Sequence, residues 1–342
     1  MLLKRLTEAN GVSGNESEIR KIIIDEITPY VDNIKIDVIG NIIASKNSHL
    51  SGAKLMIAAH MDEVGLMIVS IENNGLLKFR AVGGIDNRVL VSKHVVIGEN
   101  KINGIIGAKA IHLQKRNERT IPLAMEQLYI DIGAKTKEEA EKNIKIGDYV
   151  AFVSEYLEMG DDYAKGKAFD DRVGCAVLIE ILKHQFDMPI YAVFTVQEEI
   201  GLRGATVAAY TVNPDLALII EGTTASDVIG TDSKYYVTQL GKGPAISIMD
   251  RGMIANPIFN KYITNIANNY NIPLQIREGA TGGNDAGKIH LHKEGIITGV
   301  ISIPVRYIHS TNSVINLKDY QNLIVLTKLF VEEVSKTKGL KI

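Results

Sequence analysis

Five short polar clusters in the sequence carry residue types that can bind metal or transfer protons. Each cluster follows a run of apolar residues typical of a β-strand or opens a helix-like stretch. In chain order they are centred on His60, Asp170, Glu198 with Glu199, Glu221, and His309. Ligand sites of open α/β sheets form at the carboxyl ends of the strands. We therefore expect these side chains to meet at one edge of a sheet.

Taken one at a time, most of these clusters have an ordinary structural explanation. Each histidine could be a satisfied surface side chain, and adjacent acids that open a helix, such as Asp170 and Asp171, commonly act as caps. An isolated acid that ends an apolar run, such as Glu221, is a weak signal. Glu198 and Glu199 are harder to explain in this way, because ionised carboxylates near a core need a partner or a metal.

Taken together, the clusters favour a metal site. Two histidines and three or four carboxylates form a mixed nitrogen and oxygen ligand set, which suits Zn²⁺, Co²⁺ or Mn²⁺ better than Ca²⁺. The single cysteine, Cys175, lies in an apolar helical run and is expected in the core. More acids are available than one ion needs, which indicates a two-metal site. In the pattern His60-x-Asp62, the carboxylate can orient the surroundings of a metal-binding imidazole.

Composition and missing motifs exclude several functional classes. The chain has 38 basic and 40 acidic residues, a formal charge of −2, so it has no bias toward nucleic acid. It lacks an apolar run of roughly 18 residues and is not expected to span a membrane. P-loop, His-Glu-x-x-His and Gly-x-Ser-x-Gly patterns are absent. The first residues do not resemble a signal peptide, and one cysteine fits a reducing compartment, so we expect a cytoplasmic protein.

Helical and strand-like patterns alternate in the first and last parts of the chain. Apolar periodicity predicts a helix over residues 15–30, where Ser13 followed by Glu16 is typical of a capping box. The other predicted helices are Arg172–His184, Asn256–Tyr270 and Asp319–Lys336. The predicted strands are Ile34–Ile39, Asn41–Ala44, Leu55–Ala59, Ile190–Val196, Leu216–Ile220, Leu274–Arg277 and Gly299–Ile303. Such alternation favours an α/β fold with a mostly parallel central sheet flanked by helices.

The middle of the chain has a different sequence pattern. Between about 65 and 160, short strand-like runs are separated by Gly and Asn, with at most one short helix at Lys137–Asn143. This pattern predicts a small all-β, barrel-like unit. We therefore predict a catalytic domain formed by residues 1–68 and 163–342, with an inserted β domain at residues 69–162.

The order of the motifs resembles a known family. AHMDEVG, GKAFDDR, QEEIGLRGA, Glu221-Gly-Thr-Thr, GGNDAG and RYIHS occur in this order. They are similar to those of the glutamyl/deblocking aminopeptidases, co-catalytic metallopeptidases that include the tetrahedral aminopeptidases and members once named endoglucanases. The likeness covers essentially the whole chain. It implies a zinc-exopeptidase-like fold and an enzyme that removes N-terminal residues from peptides.

The resemblance also implies roles for individual residues. The implied ligands are His60, Asp170 and Glu221 for one divalent metal, and Asp170, Glu199 and His309 for the other, with Asp170 bridging. Glu198 would be the general base, Asp62 would support His60, and the Asp170–Asp171 peptide would be cis. Zn²⁺ and Co²⁺ are the expected ions, with Mn²⁺ as an alternative. The chain departs from the family in having Glu221 where Asp is commoner, which leaves the preferred N-terminal residue open.

Relatives in this family form twelve-subunit tetrahedral shells built from dimers, so the resemblance implies a homo-oligomer that admits peptides to an internal chamber. Two other functions compete with this interpretation. A glycoside hydrolase could use Glu198 and Glu199 as paired carboxylates, but it would leave His60, Asp170 and His309 without a role. An inactive scaffold protein would be expected to have lost the base or a ligand, and the sequence keeps them all.

Overall fold

The computed structural model describes residues 1–340. Within this range the helices are α1 (Leu2–Glu8), α2 (Ser17–Ile27), α3 (Lys137–Glu141), α4 (Phe169–Leu182), α5 (Arg203–Val212), α6 (Pro257–Asn269), α7 (Ala286–Ile289) and α8 (Leu317–Thr337). The strands are β1 (Asn33–Ile36), β2 (Ile42–Lys46), β3 (Leu55–His60), β4 (Gly65–Ile71), β5 (Leu77–Val82), β6 (His94–Ile97), β7 (Ile102–Ala108), β8 (Leu128–Asp131), β9 (Tyr149–Phe152), β10 (Leu157–Met159), β11 (Tyr163–Gly166), β12 (Ile190–Thr195), β13 (Leu216–Thr224), β14 (Ala245–Ser247), β15 (Gln275–Arg277), β16 (Ile297–Val305) and β17 (Ser313–Asn316).

The main sheet has eight strands in the order β1-β2-β12-β3-β13-β16-β14-β15. Its four central strands run parallel to one another, and the antiparallel pairs lie toward the two edges. Strand β3 lies between β12 and β13, and its first residue, Leu55, is paired with the first residue of each, Ile190 and Leu216. The three strands therefore start at the same level of the sheet. The predicted α/β fold with a mostly parallel sheet is confirmed.

Helices cover both faces of this sheet, and the alternation of side chains along β3 shows why. Ile57 and Ala59 join the core beneath α1, α2, α4, α6 and α8, whereas Met56 and Ala58 join the core beneath α5 and α7. Successive strand residues point to opposite faces, so a strand that is apolar throughout needs a cover on each side. The sequence LMIAA fulfils this requirement.

The insertion between β3 and α4 contains a closed barrel. Its strands are connected in the order β4-β5-β8-β7-β6-β9 by antiparallel pairs. The barrel has its own apolar core, which includes Leu66, Ile68, Val95 and Ile130. Its first strand begins at Gly65, before the predicted boundary at residue 69, because the polypeptide enters the barrel almost directly from the end of β3. The predicted small all-β unit is confirmed.

The start of α2 differs from the sequence expectation. The helix begins at Ser17 with Glu16 at the N-cap and without a side-chain capping bond. The predicted capping box at Ser13 is therefore wrong, because the Ser13 hydroxyl donates instead to Asp62 Oδ2, 49 positions away. Helix α5 (Arg203–Val212) was also not expected from the sequence. Among residues 1–340, no helix combines the length and apolarity needed to cross a bilayer.

Candidate metal centre

The side chains singled out in the sequence lie together at the carboxyl edge of the main sheet. His60 ends β3, Glu198 and Glu199 follow β12, and His309 follows β16. Glu221 lies inside β13, which continues past it to Thr224. In the parallel register His60 is paired with Thr195, so these strands reach the same edge of the sheet together. Asp170 completes the group from the first turn of α4.

Two trios of potential ligands share the carboxylate of Asp170. In the first trio, His60 Nε2 lies 3.1 Å from Asp170 Oδ1 and 3.4 Å from Glu221 Oε1. In the second, His309 Nε2 lies 3.3 Å from Asp170 Oδ2 and 3.2 Å from Glu199 Oε2. The ligand atoms of each trio lie within 4.8 Å of one another. The two oxygens of Asp170 therefore face different trios.

The two adjacent acids Asp170 and Asp171 have different surroundings. Ala168 has a left-handed conformation with φ of 52°, and the Asp170–Asp171 peptide bond is cis. Asp171 faces the interior, where its Oδ1 accepts the Gly174 N–H at 2.9 Å. Of the two acids, only Asp170 belongs to the trios, the one singled out in the sequence.

Asp62 connects the two halves of the centre. Its Oδ1 lies 3.5 Å from His60 Nδ1, and its backbone carbonyl lies 3.1 Å from the same nitrogen. Its carboxylate also accepts the backbone N–H of Glu198 at 3.0 Å and of Glu199 at 3.2 Å. The side chain is fully buried. Asp62 therefore contacts a residue of the first trio and the loop that carries a residue of the second.

Comparison with known proteins identifies the family. A family model described as M42 glutamyl aminopeptidase matches residues 40–326, a span that contains both trios. The chain belongs to the M42 family. A second family model, AMPT, matches residues 1–23.

Relatives of this M42 chain cover nearly its whole length. A putative aminopeptidase of Acetivibrio thermocellus is 42% identical over 335 residues, 97% of each chain. The TET aminopeptidase of the archaeon Thaumarchaeota archaeon SCGC AB-539-E09 is 36% identical, with a TM-score of 0.94 over 98% of this chain and 96% of that one. The Pyrococcus horikoshii TET1 peptidase, which can assemble into a tetrahedron or a large octahedral shell, is 33% identical, with a TM-score of 0.86 over 97% and 98%. The predicted family and its aminopeptidase activity are confirmed.

The electrostatics of the M42 centre fit bound cations. Burial raises the pKa of Glu198 and Glu221 well above the usual range, and burial together with nearby Asp170 raises the pKa of Glu199 to about 7. Burial opposes protonation of His309, but Asp170 and Glu199 outweigh it and raise its pKa to about 9. So many acids in a buried space need positive charge to ionise together. Imidazole and carboxylate donors in trios are suitable ligands for Zn²⁺ or Co²⁺.

A buried ion pair beside the M42 centre was not anticipated from the sequence. Lys167 Nζ donates to both carboxylate oxygens of Glu63, at 2.7 and 2.8 Å. Arg172 is fully buried and donates to the carbonyl oxygens of Leu6 and Ala9. All three charged residues belong to recognised motifs, but their partners lie more than 100 positions apart. This cluster connects the end of α1 to the loop after β3 and to the start of α4, next to His60 and Asp170.

A cavity of about 280 Å³ opens beside both trios. Its lining includes Glu198 and Glu221 together with Asp250, Arg277 and Asn284. The carboxylate of Asp250 already accepts hydrogen bonds from Asn284 Nδ2 and from the backbone N–H groups of Gly252 and Met253. The cavity can hold a side chain of moderate size. The remaining histidines contribute to no further trio within residues 1–340.

Proposed function

We propose that this M42 aminopeptidase uses two divalent metal ions, Zn²⁺ or Co²⁺ with Mn²⁺ as an alternative, and Glu198 as its general base. The observation that carries the proposal is the pair of trios joined by Asp170. His60, Asp170 and Glu221 would hold one ion, and Asp170, Glu199 and His309 would hold the other. A carboxylate that presents one oxygen to each trio suits the bridging role of a two-metal site.

When bound, the ions would supply Lewis-acid activation of a water molecule and polarisation of the scissile carbonyl. Glu198 would accept the proton of the attacking water and later donate it to the leaving amine. Burial and neighbouring acids, including Glu221 and Asp285, raise the pKa of Glu198, so the positive charge of bound ions would be needed to keep it ionised as a base. Asp62 would keep the imidazole of His60 oriented and, by accepting the N–H of Glu198, would hold the base in place.

Removal of single N-terminal residues requires recognition of a free α-amine. Glu221 is the candidate for this role, because it lines both the first trio and the cavity. The cavity would then receive the side chain of the first residue of the peptide. A blocked N-terminus would lose its charge and its attraction to these acids.

We also propose that the chain forms a homo-oligomer, most simply a dodecamer built from dimers. The support comes from the tetrahedral or octahedral shells of the P. horikoshii TET1 peptidase and from the dodecamer seen for PhTET1. Residues 69–162 would form the assembly domain, and residues 1–68 and 163–342 the catalytic domain. Peptides are the proposed substrates.

A substrate panel tests the proposed function. Metal-stripped protein should show no hydrolysis of aminoacyl anilides, and about two equivalents of Zn²⁺ or Co²⁺ per chain should restore it. An N-acetylated anilide serves as the matched control and should not be cleaved. Full activity in the presence of a strong chelator, or hydrolysis of a soluble cellulose in place of the anilides, would contradict the proposal and favour a glycoside hydrolase.

A further inference from the structure

Ser13 lies outside both trios but contacts the residue that connects them. Its Oγ donates a hydrogen bond of 2.6 Å to Asp62 Oδ2, and the serine is only 1% exposed. The same carboxylate accepts the backbone N–H groups of Glu198 and Glu199. Ser13 therefore shares an acceptor with the loop that carries the proposed base.

The backbone on both sides of Ser13 is fixed to the loop after β3. Val12 forms an isolated parallel bridge with Glu63. The Ser13 N–H donates to the Glu63 carbonyl at 3.2 Å, and the Glu63 N–H donates to the Gly11 carbonyl at 2.9 Å. The Glu63 carboxylate accepts the Gly11 N–H at 2.9 Å. With its backbone held at these points, the hydroxyl of Ser13 has a defined direction toward Asp62.

The three hydrogen-bond donors to the Asp62 carboxylate come from separate parts of the chain. Ser13 belongs to the first domain segment, whereas the N–H groups of Glu198 and Glu199 come from the loop after β12. His60 lies beside the same carboxylate, with its Nδ1 3.5 Å from Oδ1. A carboxylate can rotate about its Cβ–Cγ bond unless its donors fix both oxygens. The bond from Ser13 is the shortest of the three, and it is the only one of them from a hydroxyl group.

We propose that Ser13 is a positioning residue of the metal centre. Its hydroxyl holds the carboxylate of Asp62, which in turn orients His60 and the Glu198–Glu199 loop. This inference rests on the proposed two-metal function and adds the N-terminal segment to the machinery. Partners that orient metal ligands from outside the first coordination sphere typically change metal affinity or activity by about 10- to 100-fold when they are removed.

The first test is Ser13→Ala, with Ser335→Ala as the matched control. Ser335 is also a buried hydroxyl with one partner, the N–H of Asp187, but it lies in α8. Zn²⁺ affinity would be measured on metal-stripped protein by competition with a chromophoric chelator, together with kcat and KM on an anilide. We expect Ser13→Ala to weaken Zn²⁺ binding about 10-fold or more, while thermal unfolding of the metal-free protein stays like that of the control. Unchanged Zn²⁺ affinity would overturn the proposal.

A double-mutant cycle shows whether Ser13 acts through Asp62. In an Asp62→Ala background the hydroxyl has no carboxylate to hold, so adding Ser13→Ala should change Zn²⁺ affinity by less than about twofold. A loss as large as in the wild-type background would overturn the proposal. If Asp62→Ala does not fold, Ser13→Thr decides, because it keeps the hydroxyl and should recover most of the affinity lost in Ser13→Ala. A wild-type protein that binds Zn²⁺ but cleaves no peptide would refute the proposed function and leave this coupling standing.

Discussion

At the scale of single residues, the centre depends on one carboxylate that serves two trios. Asp170 is held between His60 and His309, whose hydrogen bonds lower its pKa although burial opposes this. An acid that stays ionised at neutral pH can attract two cations at once. The adjacent Asp171 faces away, and burial raises its pKa well above the usual range. The two acids of one motif therefore have opposite electrostatic properties.

Asp170→Asn tests this division of roles. The amide is isosteric with the carboxylate but has no charge to share between two ions, so we expect it to retain fewer than two metals per chain after dialysis. Elemental analysis of the purified variant measures the occupancy. Asp161→Asn, which changes an exposed acid in the turn between β10 and β11, is the control and should keep the wild-type metal content. Two tightly held metals in Asp170→Asn would exclude the bridging role.

At the scale of elements, strand β16, which precedes His309, packs closely against α6. Gly299 in β16 has no room for a side chain, because an added Cβ would lie 2.0 Å from the ring of Phe259 in α6. The Phe259 ring also packs against Phe330 of α8, with centroids 5.1 Å apart. A larger residue at position 299 would therefore push both helices away from the sheet.

We expect Gly299→Ala to lower the free energy of unfolding by about 1–3 kcal/mol, the usual cost of overpacking a core. Urea unfolding of the metal-free protein measures this change. In the double variant Gly299→Ala with Phe259→Leu, the smaller side chain makes room for the added methyl, so the loss should be less than the sum of the two single losses. Strict additivity, or an unchanged midpoint in Gly299→Ala, would contradict the close packing of α6 on β16.

The sequence predicted features that repeat locally and missed those that join distant segments. Apolar runs followed by polar clusters predicted the strands of the sheet, and the side chains found at their carboxyl ends are those proposed in advance. The contact between Ser13 and Asp62 could not be predicted, because its local pattern is also typical of a capping box. The ion pair between Glu63 and Lys167 spans 104 positions. Left-handed backbone conformations, such as that of Gln197 with φ of 56°, also could not be predicted where they occur at residue types that do not favour them.

At the scale of the whole molecule, the proposed assembly would decide which substrates reach the centre. Exposed apolar side chains lie in the irregular segment of the insertion between β7 and β8, where Ile111, Leu113 and Ile121 are each more than 60% exposed. Isolated exposed apolar residues are ordinary, but several in one segment are typical of a contact surface. This surface is consistent with the proposed role of residues 69–162 in assembly.

Light scattering coupled to size-exclusion chromatography tests the proposed assembly. We expect a particle of about twelve chains that trims short peptides and leaves folded proteins intact. Replacing Ile111 and Leu113 by Asp should produce smaller particles, while replacing exposed Lys115 by Asp is the control for added charge. A fully active monomer at micromolar concentration would rule out the oligomer without affecting the chemistry of the centre.

The central claim is that Glu198 transfers protons in a centre that holds two metals. The measurement that tests it most directly is the kcat of Glu198→Gln on an aminoacyl anilide, taken on protein shown by elemental analysis to contain two metals. The amide keeps the shape of the side chain but cannot accept the proton of water, so we expect kcat to fall about 10²- to 10⁴-fold with metal content unchanged. A kcat close to that of the wild type in metal-replete Glu198→Gln would contradict the account.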